Sequence, residues 1–147
     1  MKMKNKSSST LNAAQTLINN QLNTASIHCS YYSVLQYMKY ILAHVKDNPI
    51  PYEQQNEIGK DSHEYLIQEL TNRIQKPREK KNISEKIRDL KQKRVSADYL
   101  DVTYTSEEAI ECKEQAEGLK TNFKTNFGNI WKMIISLHYW KNGSILC

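Results

Sequence analysis

With 147 residues, 39% hydrophobic and 25% charged, the chain has the make-up of one globular domain long enough to bury a core. Four Gly and three Pro are too few for a sheet built on many tight turns, and no apolar run nears the ~18 residues of a membrane helix. The net charge of +5 is unevenly spread: ten basic residues against three acidic between Arg73 and Arg94, then seven acidic against one Lys between Val95 and Leu119. Two explanations fit that polarity: helices pairing with one another over a solvated surface, or a basic face turned to RNA.

Met1 to Thr10 is rich in Lys and Ser with no apolar stretch behind it, so no secretory signal is expected and the cytoplasm is the default location. Residues 1–7 read as a disordered leader to a helical domain over 8–127. From about Ser9 to Asn19, Leu11, Ala14, Leu17 and Ile18 share one helical face. Thr24 is a plausible N-cap for the next helix, where Ile27, Tyr31, Val34, Leu35, Met38, Ile41, Leu42 and Val45 form a wide stripe. This should be the central core helix, ended by Asp47, Asn48 and Pro49, with a loop over Pro49–Pro51.

Three later starts show a capping residue followed three positions on by Glu: Asp61 with Glu64, Asn82 with Glu85, and Thr105 with Glu108. They predict helices over about 61–75, 83–100 and 106–127, with Pro77 separating the first two. In the last, Ala109, Cys112, Ala116, Leu119 and Phe123 alternate by three and four, as in a bundle seam. The fold expected is all-α, an up-and-down bundle of four to five helices. Residues 128–147 form an apolar tail, with two Trp and a Tyr, that could extend the last helix, fold back, or meet another subunit.

Cys29, Cys112 and Cys147 are odd in number and widely spaced, and His28, His44, His63 and His138 are equally scattered. Neither pattern is that of a disulfide framework or a metal site, so no metal or cofactor is expected.

Four segments resemble, in order, elements of the HEPN family, small stand-alone helical proteins of bacteria and archaea. Leu11–Asn23, LNAAQTLINNQLN, is similar to its opening helix and turn, and Ala25–Leu42, ASIHCSYYSVLQYMKYIL, to its signature helix with a Tyr-Tyr-small centre. Asp61–Leu70, DSHEYLIQEL, resembles its Ser/Thr-His segment. Arg94–Tyr99, RVSADY, followed by TSEEAIECKEQAEGL, resembles its Arg-x-x-Ala-Asp-Tyr element and last helix. The resemblance covers roughly residues 8–125. It implies a homodimer, often paired with a nucleotidyltransferase-like antitoxin and tied to RNA, and the lack of a long apolar run gives no membrane role. It further implies a toxin–antitoxin component, a non-catalytic adaptor or a nucleotide-binding module; any activity would be that of a metal-independent endoribonuclease. Family ribonucleases carry an Arg followed after four to six residues by His. Here Tyr99, Leu100 and Asp101 stand there instead, a departure that counts against RNA cleavage.

Periodicity singles out Arg94 independently. It continues the apolar line of Ile83, Ile87 and Leu90, which Ala97 then resumes. A guanidinium on a core-facing line needs a partner or a cleft, and Asp98, four residues on, can supply a carboxylate. Either the pair fixes packing, or Arg94 binds a phosphate with Asp98 and Tyr99 beside it. His28 and His63 are either hydrogen-bonded structural imidazoles or the one the linear motif lacks. Tyr31 falls on the core stripe, and the Tyr32 hydroxyl could reach a cleft. Lys80, Lys81, Arg88 and Lys91 are the candidate contacts to an RNA backbone.

Overall fold

A computed structural model describes residues 2–57, 59 and 62–128 of the protein. Six helices account for it: α1 (Lys2–Asn19), α2 (Asn23–His44), α3 (Tyr52–Asn56), α4 (Ser62–Asn72), α5 (Pro77–Tyr99) and α6 (Ser106–Phe127). No strand occurs among the described residues. The expected cap Asp61, His138, Cys147 and the tail from residue 129 onward lie outside them.

α2 is the axis of the bundle and packs against each of the other five helices. The whole predicted stripe from Ile27 to Leu42 is buried, and Tyr37, Tyr40, Ser26, Ser30 and Ser33 are buried as well. A helix covered nearly all round needs small residues where a neighbour comes close. α1 uses that serine face: Ser7 Oγ donates to the Ser33 carbonyl at 2.6 Å, so the two helices run antiparallel. The side chains of Tyr37 and Phe123 stack at 6.3 Å, and Asn23 Nδ2 reaches Ser106 Oγ at 3.3 Å, so α6 runs parallel to α2. α5 returns antiparallel, its end beside the beginning of α2.

Residues 2–7, expected as disordered, are helical instead. Met3, Ser7, Leu11, Ala14 and Ile18 continue one face by steps of three and four, and that face lies on α2. The α1–α2 turn also differs from expectation. Gln21 adopts a left-handed φ of 59°, its N–H donates to the Ile18 carbonyl, and the Leu22 N–H donates to that of Leu17. This is a Schellman arrangement closing α1. α2 then starts at Asn23 with Leu22 at the cap position and no side-chain cap, so Thr24 has no capping role.

Pro77 does not merely separate helices; it opens α5. Its missing N–H costs nothing at the first helical position and its fixed φ suits a helix start. Asn82 is therefore interior, and Glu85 pairs with Lys81 at 3.9 Å rather than with a cap. The Thr105–Glu108 capping box forms in full. The α6 seam of Ala109, Cys112, Ala116, Leu119 and Phe123 is buried throughout. α3 is an extra short helix of five residues held by Gln55, whose amide donates to the Lys39 and Ile50 carbonyls.

Candidate functional site at the crossing of α2, α4 and α5

Arg94 is 8% exposed, on the buried line Ile83, Ile87, Leu90 that periodicity marked out. Its Nη2 donates to Tyr32 Oη at 3.0 Å. The guanidinium carbon lies 5.2 Å from the centre of the Tyr32 ring, 5.4 Å from that of Tyr31 and 6.0 Å from that of Tyr99. A desolvated cation gains from such ring faces, each by about 0.5–2 kcal/mol. Asp98 Oδ2 is 3.5 Å from Arg94 Nε, an ion pair rather than a hydrogen bond.

Asp98 is closer to His28. Its two carboxylate oxygens lie 3.1 and 3.0 Å from His28 Nδ1. A carboxylate only accepts, so Nδ1 carries the proton and donates, and in the neutral imidazole Nε2 keeps its lone pair. The His28 ring stacks on Tyr32 at 4.4 Å, with 45% of its side chain open to solvent. Asp98 thus joins α5's Arg94 to an accessible imidazole from α2.

His63 enters from the first turn of α4. Its Nδ1 is 3.0 Å from Tyr31 Oη, and its ring meets Tyr32 edge-on at 6.0 Å. Burial, then the positive charges of Arg94, Lys91 and Lys39, pull its pKa down to about 4. The neutral ring accepts the Tyr31 proton, whose loss burial strongly opposes by raising that phenol's pKa. The two histidines are therefore unlike: one polarised by a carboxylate at the rim, the other kept uncharged inside.

The four candidate RNA contacts separate. Lys80 Nζ donates to Asn72 Oδ1 at 2.8 Å, and Lys81 faces Glu85; both lie toward the start of α5. Arg88 and Lys91 are on the site's side, and both face Glu64. Glu64 was legible only as a helix-start carboxylate, because no sequence spacing links it to α5. Tyr99 is 74% exposed beyond Arg94.

A groove of about 510 Å³ between α5 and α6 includes none of the residues around Arg94; Glu85, Asp89, Glu114 and Lys86 are among those that line it. Three carboxylates against one ammonium make it a poor place for an anion. Among the described residues, no three metal-binding side chains come together, and no helix is long and apolar enough to cross a membrane.

The family model of the HEPN domain matches residues 1–124. The chain belongs to the HEPN family. No curated protein and no solved structure matches it. The matched span of this HEPN chain takes in α1 to α5 and almost all of α6, so the Arg94 site lies wholly within the HEPN domain.

Proposed function

We propose that this HEPN chain is the RNA-acting component of a toxin–antitoxin-type system, working as a homodimer beside a nucleotidyltransferase-like antitoxin. The supporting observation is the His28–Asp98–Arg94 arrangement. Its Arg is followed on α5 by Tyr99 rather than a spaced His, and α2 brings an imidazole to the same place. In this reading Arg94 holds a backbone phosphate through charge-assisted hydrogen bonds. His28 Nε2 takes the proton of the adjacent 2′-hydroxyl while Asp98 steadies the imidazolium that forms. The 2′-oxygen bonds to phosphorus, the bond to the 5′-oxygen breaks, and that oxygen takes a proton from solvent. The products are a 2′,3′-cyclic phosphate and a 5′-hydroxyl. Tyr32 fixes the guanidinium, and Tyr99 offers an exposed ring to a base.

A second reading, a non-catalytic adaptor or nucleotide-binding module, draws on the same contacts: Arg94 ties α5 to α2 through Tyr32 and Asp98, which packing alone would justify. Expression in bacteria of the chain, Arg94→Ala and His28→Ala separates them. Growth arrest with broken RNA, lost in both variants although they fold, is the outcome expected of a ribonuclease. Normal growth with intact RNA for all three would overturn cleavage and leave the adaptor.

A further inference from the structure

Arg88, Lys91 and Arg94 recur every three residues on one side of α5, spanning about 9 Å at 1.5 Å per residue. The first two share one counter-ion. Glu64 Oε1 receives Arg88 Nη2 at 2.5 Å and Arg88 Nε at 3.2 Å, while Oε2 stands 3.6 Å from Lys91 Nζ. Gln68 Nε2 adds a long contact of 3.5 Å, and Arg88 Nη1 also bonds Ser84 Oγ. The hydrogen bond from Arg88 leads in holding the Glu64 carboxyl below its usual range, followed, against burial, by the charges of Arg88 and Lys91. Two oxygens bridging a guanidinium and an ammonium is also how a phosphate would be bound.

The row leads to Arg94. Lys91 is near enough to His63 to depress its protonation, as Arg94 does. Rings flank the row at that end: Tyr32 and Tyr99 against the guanidinium, and His28 on Tyr32. Charges beside rings suit a nucleic-acid strand better than an acidic peptide, since each base has a face to stack. The α5 sequence alone lacks this interleaving, because two of the rings come from α2.

We infer that Arg88 and Lys91 form a second phosphate subsite continuous with Arg94, taking the neighbouring phosphate of a single-stranded RNA, and that Glu64 fills this subsite until RNA displaces it. This rests on the Arg94 reading above and adds the length of ligand and an internal competitor. One phosphate engages Arg94 alone; a longer strand must evict Glu64 from Arg88 and Lys91.

Fluorescence anisotropy tests it with labelled six-nucleotide 2′-O-methyl oligouridylate, which lacks the hydroxyl that cleavage needs, with uridine monophosphate as unlabelled competitor, on wild type, Glu64→Gln, Arg88→Gln/Lys91→Gln and Arg94→Gln. Glu64→Gln should tighten the oligonucleotide about fivefold at low salt and leave the mononucleotide unchanged; misfolding cannot yield that gain. The double variant should weaken the oligonucleotide and lower the salt slope by about 1.4, or ~0.7 per lost contact, with mononucleotide affinity kept. Oligonucleotide binding that needs Arg94 but ignores Glu64, Arg88 and Lys91 would overturn the second subsite alone. No binding by wild type, or binding that ignores Arg94, would overturn the Arg94 reading and this one with it. Displacement of the oligonucleotide by oligoglutamate as effectively as by unlabelled oligouridylate would overturn the assignment to nucleic acid.

Discussion

His28 Nδ1 lies 3.0 Å from Asp98 Oδ2, across 70 residues of sequence. The contact joins the first third of α2 to the last turn of α5, and Arg94 shares the same carboxylate. Asp98→Asn should therefore act in two ways. It replaces an acceptor-only carboxylate by an amide that can also donate, so the imidazole tautomer is no longer fixed, and it removes the nearest counter-ion of a buried guanidinium. If the proposed cleavage is the activity, it should fall by at least about tenfold, and stability to urea should fall by about 1–3 kcal/mol in any case. Unchanged cleavage in a folded Asp98→Asn protein would remove His28 from the chemistry.

His63 gives the site an acid limit. Its folded pKa of about 4 lies below the ordinary 6.5, so between those values the unfolded chain binds more protons than the folded one. Its neutral form contributes stability that is complete above pH 6.5 and is lost as pH falls toward 4. Burial is the leading cause, followed by the charges of Arg94 and Lys91 from α5 and Lys39 from α2; Tyr31 is the hydrogen-bond partner and Glu64 is next in sequence. Unfolding free energies from urea titrations should drop over this window by an amount on the order of 2 kcal/mol after allowance for partial exposure. His63→Asn should flatten that part of the profile.

Lys120 stands apart from the site. It is 8% exposed, with its ammonium 5.5 Å from the Tyr37 ring centre, and burial, then Lys124, bring its pKa down to about 8. At neutral pH the fold thus carries a desolvated charge, partly offset by the ring. Lys120→Met keeps the bulk without the charge. It should raise stability by about 1 kcal/mol at pH 7, with the advantage shrinking as pH rises from 8 to 10.5, where wild-type Lys120 loses its proton in both states. A loss of stability in Lys120→Met would mean the ammonium helps the fold.

Gln21 occupies a conformation that favours glycine, with φ at 59°. Gln21→Gly relieves the clash between its Cβ and the backbone but loosens the unfolded chain, so the net gain should be about 0.5–1 kcal/mol. Thermal unfolding of the two proteins measures it. A lower midpoint for the glycine variant would show that the Gln21 side chain contributes more than its backbone costs.

The bundle was largely legible in the sequence because burial follows helical periodicity. Ile27 to Leu42, Ile83 to Leu90 and Ala109 to Phe123 all face inward as spaced. Arg94 was legible for the same reason, as the polar interruption of an apolar line. The helix starts were less so. Pro77 serves equally as a breaker and as a first helical residue, and only the chain before it decides. Residues 2–7 look polar, yet Ser7 is buried because α2 presents a serine face to it, a match that neither segment reveals alone. Which imidazole meets Arg94 depends on how α2, α4 and α5 cross, and no local spacing carries that. Glu64 lacked a signal for the same reason: its partners Arg88 and Lys91 are on another helix.

The order of the site along the chain has a consequence during synthesis. His28, Tyr32 and His63 leave the ribosome well before Arg94 and Asp98, and the α6 seam that covers α2 comes later still. Domains take shape as they emerge, so an unfinished chain carries imidazoles without the cation or the carboxylate. Under the RNA-acting role proposed above, the chain would thus stay inert beside the ribosomal RNA that surrounds its own birth, armed only once α5 has docked.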